Sequence, residues 1–362
     1  MTAEVMRIFI PATLAFLIGI GITPFVTHFL YKYKMWKPKA GKVALDGTPA
    51  TLRNQLHEQR DAGVPHFGGI IVWLSVLLTA DLLSLLARVY PAAFSDLAFI
   101  SRGQTWVPLA ALAAGALVGF VDDLFEVTGR GGLRLRVRLV FVAVVAFVCA
   151  WWFYDKLDVS SITLPFVSAP LELGLLFVPL FVLVTLFIYA GGVIDGIDGL
   201  AGGVFSIMFA AYAGIAFFQN QFDIAALAAA ISGGLLAFLW FNIPPARFYL
   251  TETGTMALTL ALTVIAFLTD TLGEGRGVSV LPIIALLLVV TVLSNIVQIF
   301  WKKVFGRKFF LIAPLHHHFE ALGWPPYKVT MRYWVVGVIA AVIGLSFALF
   351  TARRKFQITN VK

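Results

Sequence analysis

The sequence predicts an all-α, polytopic membrane protein of about ten transmembrane helices, with both termini outside and its active site at the cytoplasmic face. Three observations carry this. Hydrophobic residues make up 60% of the 362, charged residues only 13%, and mean hydropathy is +0.91; a soluble chain runs about 45–50% apolar and about 25% charged. The apolar residues fall in ten runs, each near the roughly 20 residues a spanning helix needs. The basic residues collect in alternate connections. So few charges cannot coat a soluble surface, and the same composition excludes disorder. A collagen or coiled-coil class fails for want of a repeat. Cys149, the only cysteine, sits in an apolar run, which excludes an intrachain disulfide and a cysteine-based zinc site. The net charge of +8 is not read as nucleic-acid binding, because the charges lie in the loops of a membrane protein.

In order, the runs cover about 5–31, 67–89, 105–122, 137–154, 171–191, 200–218, 222–241, 255–273, 278–300 and 331–351. The first is too long for a cleaved signal peptide and no small-residue cleavage site follows it. The connections are short apart from about 32–66 and 301–330, so residues 1–362 are expected to form a single integral membrane domain. The loops after runs 1, 3, 5, 7 and 9 carry about 18 of the 27 Lys and Arg, and the positive-inside rule puts that set in the cytoplasm.

The unusual residues collect on the same side. After run 3 comes GFVDDLFE, with Asp122, Asp123 and Glu126. After run 5 comes GGVIDGIDGLAGG, with Asp195 and Asp198; after run 7, WFNIPPARFYLTETGT, with Asn242, Tyr249 and Glu252; after run 9, KFFLIAPLHHHFEALGW, with His316, His317, His318 and Glu320. A charge in hydrocarbon costs about 2.5–3.5 kcal/mol even on the lenient insertion scale, so such residues are usually functional. Each also has a plainer reading. Asp122 and Asp123 can be a solvated helix end, although they sit at the negative end of their own helix dipole, unfavourable unless a cation compensates. Asp195 and Asp198 can belong to a glycine-rich turn; three apart, they share a face if that turn is helical. The histidines can be an incidental polar run, and consecutive positions lack the i, i+4 spacing of helical metal ligands. Pro314 discourages helix before them, so the triplet is expected to begin a structured turn. Arg134, Arg136 and Arg138 serve either membrane topology or phosphate binding. Asp81 is the acid in the middle of run 2, where it can partner a bundle-facing polar group. Asp270 and Glu274, at the outer end of run 8, read as ordinary loop charges.

Carboxylates gathered at one membrane face suit Mg²⁺ shared with phosphate oxygens, and basic residues nearby suit a polyanionic substrate. Histidine adds a donor that is charged or neutral near pH 7. No Walker loop and no GxGxxG opens a helix after a strand. The constellation points to phosphoryl transfer between a soluble nucleotide substrate and a lipid phosphate, in which a protein mainly positions groups and neutralises charge.

GFVDD, DGIDGLAGG, WFN followed by ETGT, and APLHHHFEALGW together resemble the polyprenyl-phosphate N-acetylhexosamine-1-phosphate transferases, in the family's order and over nearly the whole chain. AGVPHFGG, before run 2, resembles that family's GTPTMGG. The resemblance implies transfer of phospho-N-acetylmuramoyl-pentapeptide from its UDP donor to undecaprenyl phosphate, with UMP released. By position, Asp122 and Asp123 match the acidic pair near the lipid phosphate, and Asp195 and Asp198 the nucleotide and magnesium region. Asn242 and Tyr249 match positions near the nucleotide, Arg138 matches a family lysine, Glu252 the metal-binding aspartate, and His316, His317 and His318 the triplet near substrate. Glu252 and Asp195 are the expected Mg²⁺ ligands. The chain departs from the pattern at Glu126 (family Lys), Tyr189 and Gly192 (family Asn), Glu252 (family Asp), and Asp61 beside Arg60 (family Lys). The alternative donor is UDP-N-acetylglucosamine or another N-acetylhexosamine, toward which DGIDGL and Glu126 lean and the histidine motif does not. A transporter would place its charges near the midplane, and an inactive relative would follow from the departures. Oligomeric state, a homodimer included, stays open.

Overall fold

The computed structural model describes residues 2–37, 63–101, 103–163, 170–271 and 276–359. Arg60, Asp61 and Glu274 lie outside them. The long helices, in chain order, are α1 (Thr2–Lys32), α2 (Gly69–Val89), α3 (Trp106–Val127), α4 (Leu135–Lys156), α5 (Phe177–Ala190), α6 (Leu200–Phe218), α7 (Phe222–Asn242), α8 (Thr251–Thr271), α9 (Leu286–Phe305) and α10 (Pro326–Thr359). Among the described residues ten helices are long and apolar enough to cross a membrane, α5 counting with the short turns that extend it at both ends. Helices are the expected element, because hydrocarbon offers no partner to an unpaired backbone group. A two-stranded antiparallel hairpin, β1 (Ser161–Ile162) with β2 (Leu171–Glu172), joins α4 to α5.

Burial orders the bundle. The spanning window of α8 is 89% buried and that of α1 only 17%, which makes α8 the axis and leaves α1, α4, α9 and α10 at the perimeter. The α3–α8 contact is the closest in kind. Gly115 and Gly119, four apart on α3, face α8 so tightly that a Cβ on Gly119 would lie 2.1 Å from the carbonyl oxygen of Glu252. Small residues at this spacing let two helix backbones meet where lipid supplies no hydrophobic drive. That contact sets the height of α8 against the end of α3.

Three run boundaries need correction. The third continues to Val127, so Asp122, Asp123 and Glu126 lie in the last turns of α3 and not in the following loop. The eighth begins at Thr251, which places Glu252 in the first turn of α8. The ninth is broken: a helix over Gly277–Ile284 contains Pro282, which cannot donate the i→i−4 bond, and α9 starts afresh after Ala285. Hydropathy misplaces the first two because polar side chains at helix ends count against a span although the backbone hydrogen bonding continues.

Two acids also differ from expectation. Asp270 is not an ordinary loop charge: it is 7% exposed and accepts bonds from Thr163 N (3.1 Å), Thr163 Oγ1 (2.6 Å) and Arg276 N (2.9 Å), closing the bundle end opposite the motifs. Asp81 is exposed on the flank of α2 and, among the described residues, partners nothing in the bundle interior.

Candidate active site

The alternation of the long helices brings the C-terminal ends of α3, α5 and α7 and the N-terminal ends of α4, α6 and α8 to one end of the bundle. Asp123 is fully buried there. Its carboxylate accepts from Thr251 Oγ1 (2.5 Å), Thr253 Oγ1, Thr253 N (2.9 Å) and Glu252 N (3.3 Å). The first N–H groups of a helix have no partner within it, and the N-terminus carries partial positive charge. Asp123 is therefore the cap of α8, supplied from another helix. The dipole conflict at the end of α3 is resolved by the opposite pole of α8.

Asp122, 3% exposed, turns the other way. It accepts the backbone N–H of Leu133 and faces Arg138 Nη1 at 3.5 Å. The same guanidinium nitrogen is bonded to Glu252 Oε1, and Glu252 Oε2 accepts from the Tyr189 hydroxyl at 3.3 Å. Of the three arginines, Arg138 alone reaches this cluster; Arg134 and Arg136 are exposed.

A short helical turn, Gly191–Ile194, delivers Asp195, whose Oδ2 accepts Thr251 N at 2.8 Å. Asp198 Oδ2 accepts Ala246 N at 3.1 Å. The two acids thus hold different segments, and between them Gly196 leaves room for the histidines. A Cβ at Gly196 would lie 2.6 Å from His316 Nε2 and 2.8 Å from His317 Nε2. Asn242, 2% exposed, spends both polar atoms on backbone: Oδ1 accepts Gly199 N at 3.0 Å and Nδ2 donates to Phe248 O at 2.7 Å. Through these two bonds it holds the turn. A cavity of about 270 Å³ opens beside the turn, lined by Val64, Asp198, Pro244, Pro245, Ala246 and Tyr249.

The histidines lie on a short helix, Leu315–Ala321, not in the expected turn; Pro314 only precedes it, at a position where helices tolerate the residue. His316 and His317 are buried with ring centroids 4.3 Å apart. His317 Nδ1 meets Glu320 Oε2 at 2.7 Å, one turn along, which directs Nε2 toward Gly196. His318 projects elsewhere on the helix, about 100° per residue around, and its Nδ1 accepts Leu311 N at 3.2 Å. The structure joins two of the triplet to the acidic turn and gives the third to the neighbouring loop. Replacing Gly196 by alanine is expected to push both rings off the turn and to lower turnover about tenfold or more, as are His316→Ala and His317→Ala. Initial rates of all three against the parent protein check this, and unchanged rates return the histidines to a packing role.

A final group joins Glu126 and the AGVPHFGG loop to Lys37, which no motif singled out. Lys37, just past α1, is paired with Glu126, one turn beyond Asp122 on α3; His66 Nδ1 lies 3.5 Å from Glu126 Oε2. The Pro65–Gly69 loop is pinned to the start of α8 by Tyr249 N→Pro65 O (2.9 Å) and Gly68 N→Tyr249 O (2.8 Å). His66, Asp123 and Glu126 offer ligand atoms within 4.8 Å of one another, and the ammonium of Lys37 sits on Glu126. A glycine pair in AGVPHFGG was the available signal for the loop; nothing local marked Lys37.

The chain is also similar to known proteins. The model of glycosyl transferase family 4 matches residues 105–270. A phospho-N-acetylmuramoyl-pentapeptide-transferase of Listeria monocytogenes serotype 4b is 32% identical over 93% of this chain and 96% of its own length. Proteins of that same name are 30% identical in Anoxybacillus flavithermus, over 92% of this chain and 95% of theirs, and 31% identical in Bacillus anthracis, over 93% and 96%. The chain belongs to glycosyl transferase family 4. The family segment spans α3 to α8 and so holds Asp122, Asp123, Arg138, Asp195, Asp198, Asn242, Tyr249 and Glu252, while the histidine helix lies beyond it.

Proposed function

We propose that the protein transfers phospho-N-acetylmuramoyl-pentapeptide from its UDP donor to undecaprenyl phosphate, releasing UMP. One observation carries this reading. The Asp122–Arg138–Glu252 cluster, the Asp195–Asp198 turn and the His316–His317 pair come together at one end of a membrane bundle, where Asp198 and Tyr249 line a pocket, in a chain similar over 92–93% of its length to transferases of that name.

In this mechanism the lipid phosphate oxygen attacks the phosphorus attached to the sugar. The bond from that phosphorus to the bridging oxygen breaks, and UMP leaves with the electron pair. Asp122 orients the lipid phosphate or takes its proton. Arg138 offsets charge on the transferring phosphoryl group; its Nε is buried without an acceptor among the described residues, so a donor is in place for a phosphate oxygen. Tyr249 offers its ring to the base across the pocket. Asn242 holds the floor through Gly199. His316 and His317 donate to sugar or phosphate oxygens. Glu252 and Asp195 would hold Mg²⁺. The fit rests on chemistry: these are hard oxygen donors of the kind Mg²⁺ takes together with substrate phosphates, and the Arg138 guanidinium lying between Glu252 and Asp122 marks a place that accepts positive charge. When bound, the ion supplies charge neutralisation on the diphosphate. Basic residues in the loops at this end support a cytoplasmic site in the inner membrane.

The test is UMP release by purified protein with undecaprenyl phosphate and either UDP-muramoyl-pentapeptide or UDP-N-acetylglucosamine. Turnover of the first, abolished by excess EDTA and restored by Mg²⁺, is expected. Turnover of only the second overturns the muramoyl assignment, and turnover of neither overturns the reading.

A further inference from the structure

We propose that Lys37 is a phosphate-binding residue of this site, parked on Glu126 and passed to a substrate phosphate when one enters; this rests on the transferase reading above. Lys37 lies outside the residues matched to the family model, and no motif includes it.

Backbone hydrogen bonds fix its position. After α1, Lys34 takes a left-handed conformation (φ 50°), Met35 N returns to Leu30 O at 2.9 Å, and His66 N reaches Met35 O at 2.7 Å. These bonds fold the chain back over the bundle end and tie it to the Pro65–Gly69 loop. The Lys37 side chain, 23% exposed, then reaches Glu126 on α3.

The location matters more than the pair. Val64 and Tyr249 line the pocket, and the His66 ring meets the Tyr249 ring edge-on at 6.5 Å. His66 faces Glu126, and Glu126 stands four residues after Asp122 on the same face of α3. The contacts therefore run from the pocket through His66 and Glu126 to the Asp122–Arg138–Glu252 cluster. A ligand with one end in the pocket and its phosphates at the cluster passes Lys37. Arg138 is bonded to Glu252 and faces Asp122, and Lys37 adds a second cation at Glu126, next to the His66 ring that meets Tyr249 of the pocket. Lysine suits this role because its ammonium is a compact charge on a flexible four-carbon stem and moves between acceptors more readily than a planar guanidinium. Glu126 keeps it from collapsing onto Asp122 and poisoning the site. The phosphate belongs to the nucleotide donor or to the lipid acceptor, and the two are separable by experiment.

The experiment measures KM for each substrate, kcat and thermal midpoint for Lys37→Met, Lys37→Arg and Glu126→Gln in the full-length protein, alongside calorimetric binding of UMP and of inorganic pyrophosphate. Loss of a charge-assisted contact raises KM about tenfold in Lys37→Met, while Lys37→Arg recovers most of it. Glu126→Gln releases the lysine and lowers the same KM. The substrate whose KM moves identifies the phosphate, and weaker pyrophosphate binding in Lys37→Met points to the donor side. A tie that only holds the α1 loop to α3 predicts something else: both Lys37→Met and Glu126→Gln lower the thermal midpoint, and neither moves a KM. That result, or KM shifts of the same sign in both, overturns the proposal while wild-type turnover leaves the transferase reading standing. Absence of wild-type turnover overturns that reading instead, and pyrophosphate binding unchanged by Lys37→Met then overturns the role of Lys37 as well.

Discussion

Replacing Glu252 by alanine is expected to lower kcat about 100- to 1,000-fold, the range seen when one fixed electrostatic contact to a developing charge is removed. Glu252 is placed by three independent features: Gly119 lets its backbone sit against α3, Asp123 caps its N–H, and Arg138 and Tyr189 take its carboxylate. Truncation leaves Arg138 with Asp122 alone and removes a proposed Mg²⁺ ligand. The variant should still fold, because the cap of α8 does not pass through the Glu252 side chain. Glu252→Asp retains the charge on an arm one methylene shorter and is expected to keep measurable turnover, with a raised Mg²⁺ requirement. The measurement is initial rate of UMP release across a Mg²⁺ series. A rate for Glu252→Ala within about threefold of the parent protein takes the residue out of the chemistry.

The neighbouring aspartates should separate. Asp123→Ala removes four hydrogen bonds that a fully buried carboxylate makes to the start of α8. A lost cap costs about 0.5–2 kcal/mol and each buried group left unpaired about 1–3 kcal/mol, so a fall in thermal midpoint of about 5 °C or more is expected. Activity is lost with it, because Thr251 and Glu252 move. Asp122→Asn keeps an acceptor for Leu133 N but loses the charge facing Arg138. It should cost more than about tenfold in kcat with the midpoint almost unmoved. Thermal scans and kcat for the two variants check this pairing, and a midpoint that falls equally in both would show that Asp122 is structural as well.

Much of the site was legible because the chain marks it against a hydrophobic background. Carboxylates and histidines on alternate loops stand out where hydropathy is the rule, and alternation alone sends them to one end. Which carboxylate does what was not legible. Asp122 and Asp123 are identical in sequence terms, and their roles diverge because successive residues point about 100° apart on a helix: one meets α8, the other Arg138. The histidines were readable as a group, yet helical rather than turn geometry sends His318 to Leu311. Glu320 stood inside the motif, but only its one-turn spacing on a helix makes it the partner of His317.

The sequence by itself determined the fold class, the number of spans and the end at which the polar motifs gather, because hydropathy and loop charge are properties of single residues summed along the chain. The tertiary structure alone decided which acid caps a helix, which arginine of three enters the cluster, and that Lys37 and Glu126 meet across the end of the bundle. Those outcomes depend on helix rotation and on how closely backbones approach at Gly115 and Gly119, and a pairwise distance between residues 89 positions apart leaves no mark on either residue alone.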